Sequence, residues 1–135
     1  MKIAVSSTGP NLDSVVDPRF GRCPFFVVVD TDTMAFEALP NTSIGAAHGA
    51  GIQAAQLVVS RGVKAVLTGN VGPNAFTALS TAGVQVVTGA RGTVRDAVER
   101  FKRGELGSSS GPTVGGHFGL GGRGMGRGRG RRRQT

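Results

Sequence analysis

The sequence predicts an α/β fold, a mixed five-stranded sheet held between helices in three α/β/α layers. Three observations carry this. In the second half, short β-branched runs alternate with stretches of helical spacing, and two strand–helix–strand units require parallel strands joined by right-handed crossovers. Phe25 to Val29 is an uninterrupted apolar run, as expected of a strand covered on both faces. Asp30-Thr31-Asp32-Thr33 then supplies turn chemistry, so that Met34 to Leu39 pairs back and makes the sheet mixed.

Taken in order, Lys2 to Ser6 is a buried first strand that ends in the turn-rich Ser6-Ser7-Thr8-Gly9-Pro10-Asn11. A polar loop continues through Asp13 and Asp17-Pro18 to Cys23-Pro24 and delivers the Phe25–Val29 strand. After the hairpin, Ala46 to Arg61 reads as a helix with Ile52, Ala55 and Val59 on one face, closed by Gly62. Ala65 to Thr68 is a strand stopped by Gly69-Asn70-Val71-Gly72. Pro73 opens a helix that turns Phe76 and Leu79 inward and ends at Gly83. Val84 to Val87 is the fifth strand. Thr93 with Asp96 has the spacing of a capping box, ahead of Val94, Ala97, Val98 and Phe101 at helical intervals and a stop at Gly104.

Composition divides the chain in two. Residues 1–103 hold ten Lys and Arg against seven Asp and Glu, whereas residues 104–135 hold six Arg and Glu105 alone. The strongly basic balance is therefore mostly a property of 104–135, where Gly is 12 of 32 residues. That stretch has too little apolar surface to offset ordering entropy, and the sequence predicts a disordered tail behind a 1–103 domain. One cysteine excludes an internal disulfide. The N-terminus turns polar too early for a signal peptide, and no apolar run is long enough for a bilayer. The expectation is a cytoplasmic protein.

Topology gathers the chemistry at one end. Ligands of open α/β sheets bind outside the carboxyl ends of the parallel strands. Ser6 ends the first strand there and Gly69, Asn70 and Gly72 follow the fourth. The antiparallel second strand begins there, bringing Arg19, Gly21, Arg22 and Cys23, and the third delivers the chain to His48. The N-termini of all three helices face the same rim, which favours an anion. Cys23 is either a thiol acidified by Arg22 or a small core filler, and His48 is either a ligand or an ordinary residue at a helix start.

Other constellations fall away. Gly49-Ala-Gly-Ile-Gln-Ala54 matches a dinucleotide fingerprint by letter, but it follows a long loop with no acid about 20 residues on. Asp13, Asp17 and Asp30 do not assemble at the rim. Zinc wants more Cys and His than this chain has, and a Cys–His catalytic pair lacks an orienting third group. These observations argue against an enzyme.

Asp17-Pro-Arg-Phe-Gly-Arg-Cys-Pro-Phe-Phe26, Gly45-Ala-Ala-His-Gly-Ala-Gly-Ile-Gln-Ala-Ala-Gln56 and Leu67-Thr-Gly-Asn-Val-Gly-Pro-Asn-Ala-Phe76 resemble the dinitrogenase iron–molybdenum cofactor biosynthesis family. That family comprises NifX- and NifY-like carriers, the C-terminal part of NifB and small stand-alone proteins. The resemblance covers roughly residues 1–103. It implies a ribonuclease H-like motif and non-catalytic carriage of an iron–sulfur or molybdenum-containing cluster between donor and acceptor proteins. By position, Cys23 and His48 would contact metal, and Arg19, Gly21, Ser6, Gly69, Asn70 and Gly72 would shape the pocket. The chain would act as a monomer or homodimer. The alternative is a nucleic-acid or acidic-partner module working through the Arg-Gly tail, with strongly salt-dependent affinity. A solubilising tail with no partner, and a redox sensor built on Cys23, are two further readings.

Overall fold

A computed structural model describes residues 1–43 and 49–114. Its elements run β1 (Lys2–Ser7), β2 (Phe25–Asp30), β3 (Phe36–Pro40), α1 (Ala50–Val59), β4 (Ala65–Leu67), α2 (Pro73–Thr81), β5 (Gln85–Val87) and α3 (Val94–Lys102). The order is the one the sequence predicts. The expected first turn of the first helix, Ala46–His48, lies outside the described residues, as do His117 and the run of six arginines.

The five strands form one mixed sheet in the order β3-β2-β1-β4-β5. β1 pairs antiparallel with β2 and parallel with β4, while β2–β3 is antiparallel and β4–β5 parallel. Alternation along the strands sorts their side chains to two faces. Ala4, Phe26, Val28, Val66 and Val86 pack with Ala54, Ala55, Val58 and Leu79 of α1 and α2. Ile3, Val5, Val27, Val29, Ala65, Leu67 and Val87 pack with Val94, Ala97 and Val98 of α3. Both faces of β2 are thus covered, which is why Phe25–Val29 is apolar throughout.

The inner face of α1 differs from the one expected. Ile52 is exposed and Val59 only partly buried, and the helix instead turns Ala50, Ala54, Ala55 and Val58 inward. α1 must fit α2 as well as the sheet, and a Cβ built on Gly51 would lie 3.3 Å from Ala75 Cβ. Such close approach favours the Ala-rich side of the helix over the β-branched one. Phe76 of α2 sits at the margin of the core rather than within it.

The capping box forms as read. Thr93 Oγ1 accepts from the Asp96 N–H at 3.0 Å, and the Asp96 carboxylate accepts from the Thr93 N–H at 3.1 Å. These bonds hold the Asp96 carboxyl below its ordinary value. Replacing Thr93 with Ala is expected to lower stability by about 1 kcal/mol, and Ser should restore it. Urea unfolding checks this as a lower midpoint at unchanged slope.

Residues 8–22 are more than a connection. Leu12 and Val16 pack on the α3 side of the sheet, while Phe20 and Cys23 pack on the α1–α2 side. Between them the chain crosses the ends of β1 and β4. The Asp17 N–H donates to the Ser6 carbonyl at 2.9 Å and the Asn70 N–H to the Pro18 carbonyl at 2.8 Å.

Past Gly104, where the composition turns Gly-rich, the described chain still makes contacts. Leu106 packs against the α3-side core, and the Ser109 N–H donates to the Val86 carbonyl at 2.7 Å. β5 is an edge strand with a row of open backbone groups, and these supply partners that composition does not announce.

Candidate functional site

All five strands present one end to the rim, since Ser7 stands opposite Phe25, Phe25 opposite Pro40, and Leu67 opposite both Val5 and Val87. The rim that topology predicts therefore exists. The loop 17–22 lies across it and divides the expected site residues into a covered set and an open set.

Ser6 belongs to the covered set. It is fully buried, and its hydroxyl lies 2.7 Å from both the Asp17 carbonyl and Thr68 Oγ1. One hydroxyl proton serves the carbonyl, and the other bridges the two side chains. Ser6 is a strut under the loop and does not face a ligand. The reason is the crossing chain, which covers this end of β1.

Cys23 is also covered. Its Sγ is buried, donates to the Phe20 carbonyl at 3.4 Å and has the Asn41 amide at 4.0 Å. Asn41 also donates to the Cys23 carbonyl at 2.8 Å, and its own Oδ1 accepts from the Ser43 N–H at 3.1 Å. Burial pushes the thiol up to about 12, and the Asp17 carboxylate adds to the rise; backbone N–H groups and Asn41 act the other way without offsetting it. The acidified thiol that the neighbouring Arg22 suggested is thus absent. Cys23 in this arrangement is a protonated core group.

The open set lies on the α1–α2 side. Asp17 is buried and grips Arg19. Its Oδ1 accepts from the Arg19 N–H at 2.9 Å and Nε at 3.2 Å, and its Oδ2 from Nη2 at 3.3 Å. These bonds and the carboxylate charge raise the guanidinium above its ordinary value and hold it half exposed at the edge of the rim. Gly21 is there because a Cβ would come within 3.2 Å of Gly51 Cα and N, at the start of α1. Gly69 is tighter still, since a Cβ would meet Pro18 Cα at 2.7 Å. Asn70 bridges to Arg19, and Gly72 caps α2 with Pro73 behind it.

Two helix N-termini meet under this loop. α1 starts after Gly49 (φ 73°) and α2 after Gly72, with no side-chain cap and no acid in the first turn of either. α3 is different, because its N-terminus is taken by Thr93 and Asp96 and lies on the opposite face. The positive pole that the sequence predicted from three helices is therefore made by two, α1 and α2. First-turn N–H groups there have no intrahelical acceptor, and the macrodipole favours negative charge. An open groove of about 490 Å³ lies elsewhere, lined by Arg91, Gly92, Asp96, Glu99, Arg100 and Arg103. Its charges are mixed, and Asp96 and Arg103 are already engaged with Thr93 and Glu105. The chemistry points to the α1–α2 end.

His48 lies outside the described residues, one position before Gly49. Among the described residues there is no group of three His, Cys, Asp or Glu able to hold a metal ion, and no helix is long and apolar enough to cross a membrane.

Residues 1–104 match the family described as dinitrogenase iron-molybdenum cofactor. The chain belongs to that family. Membership ties it to iron–molybdenum cofactor chemistry and its accessory proteins. The fold and 50% of the aligned residues are shared with the orange protein of Desulfovibrio gigas, solved in its apo form, at a TM-score of 0.81 over 82% of this chain and 94% of that one. A Thermotoga protein provisionally described as NifB is 40% identical, with a TM-score of 0.70 over 79% of this chain and 91% of its own. An uncharacterized protein of Methanocaldococcus jannaschii is 29% identical over 109 residues, 78% of this chain and 89% of the relative.

Proposed function

We propose that this family member is a non-catalytic carrier or scaffold for an anionic iron–sulfur or molybdenum-containing cluster, passed between donor and acceptor proteins in the cytoplasm. The observation that carries the reading is the meeting of two uncapped helix N-termini beneath the Pro18–Arg22 loop, in a chain matched along residues 1–104 by an iron–molybdenum cofactor family. Cluster sulfides and oxo groups are acceptors, and the donors at this end suit them: first-turn N–H groups and the Arg19 guanidinium. A relative named for its colour and described in an apo form agrees with a coloured, releasable cargo. The 1–103 domain, in the layered ribonuclease H-like arrangement that the resemblance implies, carries this end, and residues 104–135 follow it.

The donor set is uneven, and this shapes the mechanism. Backbone N–H groups and Arg19 are in place in the free chain and hold charge rather than metal. His48 and Cys23 are the metal contacts of the reading, but a protonated buried thiol does not ligate. Cys23 contributes only once the Asn41–Ser43 cover moves off it, and that cover runs directly into residues 44–48. A cluster is thus captured electrostatically first and ligated second, and reprotonation of the thiol assists release. Removal of both metal contacts, Cys23→Ala with His48→Ala, is expected to cut retained cluster at least 10-fold after reconstitution and gel filtration. Full retention in the doubly substituted chain, shown to be folded by its unfolding curve, removes the residue assignment.

A further inference from the structure

Val71 sits between Asn70 and Gly72, the two open residues that lead into α2, and is 1% exposed. A peptide buried that deeply must have both its N–H and its carbonyl bonded. Both partners come from one residue far along the chain. Thr113 Oγ1 accepts from the Val71 N–H at 2.9 Å, and the Val71 carbonyl accepts from the Thr113 N–H at 2.9 Å. The Thr113 hydroxyl returns its own proton to that carbonyl at 3.3 Å, and the Val114 N–H reaches it at 3.3 Å.

The segment that brings Thr113 there wraps the edge of the sheet. Leu106 lies with the α3-side core, Ser108 pairs with Val87 of β5, Ser109 donates to Val86, and Thr113 closes on the α2 side. None of this falls within the residues matched by the family, which end at 104. The shared domain therefore leaves Val71 with two buried polar groups that its own residues do not serve in this chain.

We propose that Thr113 is a positioning residue of the cargo site, and that residues 105–114 are a clasp fixing the Gly69–Gly72 loop at the N-terminus of α2. This deepens the carrier reading and rests on it. The loop carries Asn70, whose N–H is bonded to Pro18, so the clasp reaches through it to the Pro18–Arg22 loop as well. Removing the Thr113 hydroxyl leaves the Val71 N–H without its partner at a part-buried position, and the loop relieves that by opening. A loosened loop gives up the alignment of the α2 N-terminus with that of α1.

The test uses the full chain with Thr113→Val, which keeps the shape and removes the hydroxyl, and Thr113→Ser, which restores it. Two quantities are read, amide hydrogen exchange at Val71 and metal retained after reconstitution and gel filtration. Valine is expected to speed exchange at the Val71 amide about 10-fold, the scale of one lost buried hydrogen bond. It should also reduce retained metal several-fold, and serine should reverse both. Faster exchange with unchanged retention makes the clasp purely structural and overturns the positioning role. Unchanged exchange overturns the clasp itself. A wild-type chain that takes up no metal overturns the carrier reading and the positioning role with it, while the exchange result still decides whether the clasp exists.

Discussion

Raising the pH from 9 to 12 is expected to erode the stability advantage that Cys23 gives this chain. The folded thiol is pushed up to about 12 from an ordinary value of 9.0, chiefly by burial. A value raised on folding means that the neutral form is favoured in the native state. The stabilisation is therefore fully present below about 9, where both states keep the proton, and is lost as pH climbs towards about 12. The full difference corresponds to an upper bound of about 4 kcal/mol. Cys23→Ala gives the control, since every other alkaline titration is common to both chains. At pH 7 the alanine chain should be less stable by about 1–2 kcal/mol, for the lost sulfur contacts. Between pH 9 and 12 its stability should fall less steeply, so the two curves converge and, since a loss approaching about 4 kcal/mol exceeds that advantage, cross towards pH 12. Parallel curves across that range would place the thiol in water and undo the description of Cys23 as a covered group. The same burial predicts slow alkylation of the free chain, a useful contrast with a chain whose cover has opened.

Gly69→Ala is expected to be the most damaging small change at the rim. A single methyl there would stand 2.7 Å from Pro18 Cα, 2.9 Å from its Cβ and 3.2 Å from its carbonyl oxygen. Those are mostly backbone atoms, and no rotamer change relieves the clash. Either β4's exit or the Asp17–Arg19 loop must retreat, which strains the 2.8 Å bond from Asn70 to Pro18 and the bridge between Arg19 and Asn70. The expected cost is about 2–3 kcal/mol, the range of overpacking where the surroundings cannot yield. Cluster retention should fall with it, because Arg19 and the α2 N-terminus are held in register through this contact. The unsubstituted chain is the reference for both quantities. Thermal unfolding and metal content on the two chains decide it. Equal behaviour would mean that the rim loops are not in contact.

Much of the fold was legible because it rests on local periodicity and on turn residues. The run Phe25–Val29, the Thr93–Asp96 pair and the stops at Gly62, Gly83 and Gly104 each state their role in a few residues, and all three glycines adopt positive φ. The rim was legible too, as a consequence of strand direction. What the sequence concealed depends on contacts between distant residues. Asp17 to Gly21 reads as polar and open, yet Leu12 and Val16 anchor the chain on the α3 side and Phe20, four residues further, on the α1–α2 side, which draws it over the sheet end. That spacing was the available signal. Cys23, between Arg22 and Pro24, reads equally as an acidified thiol or as a core filler. Its burial is decided by Phe20 and by Asn41 from beyond the hairpin, and no local rule contains that pairing. The clasp was hidden by composition. Ser and Gly residues predict freedom, and they found order only because β5 and Val71 had unmet hydrogen bonds to offer.

The most direct measurement is the iron, molybdenum and acid-labile sulfide content of the full chain, with a visible spectrum, after anaerobic reconstitution and gel filtration. The account predicts metal and sulfide that travel with the protein and give charge-transfer bands. Colourless protein, free of metal and sulfide after reconstitution, would contradict it.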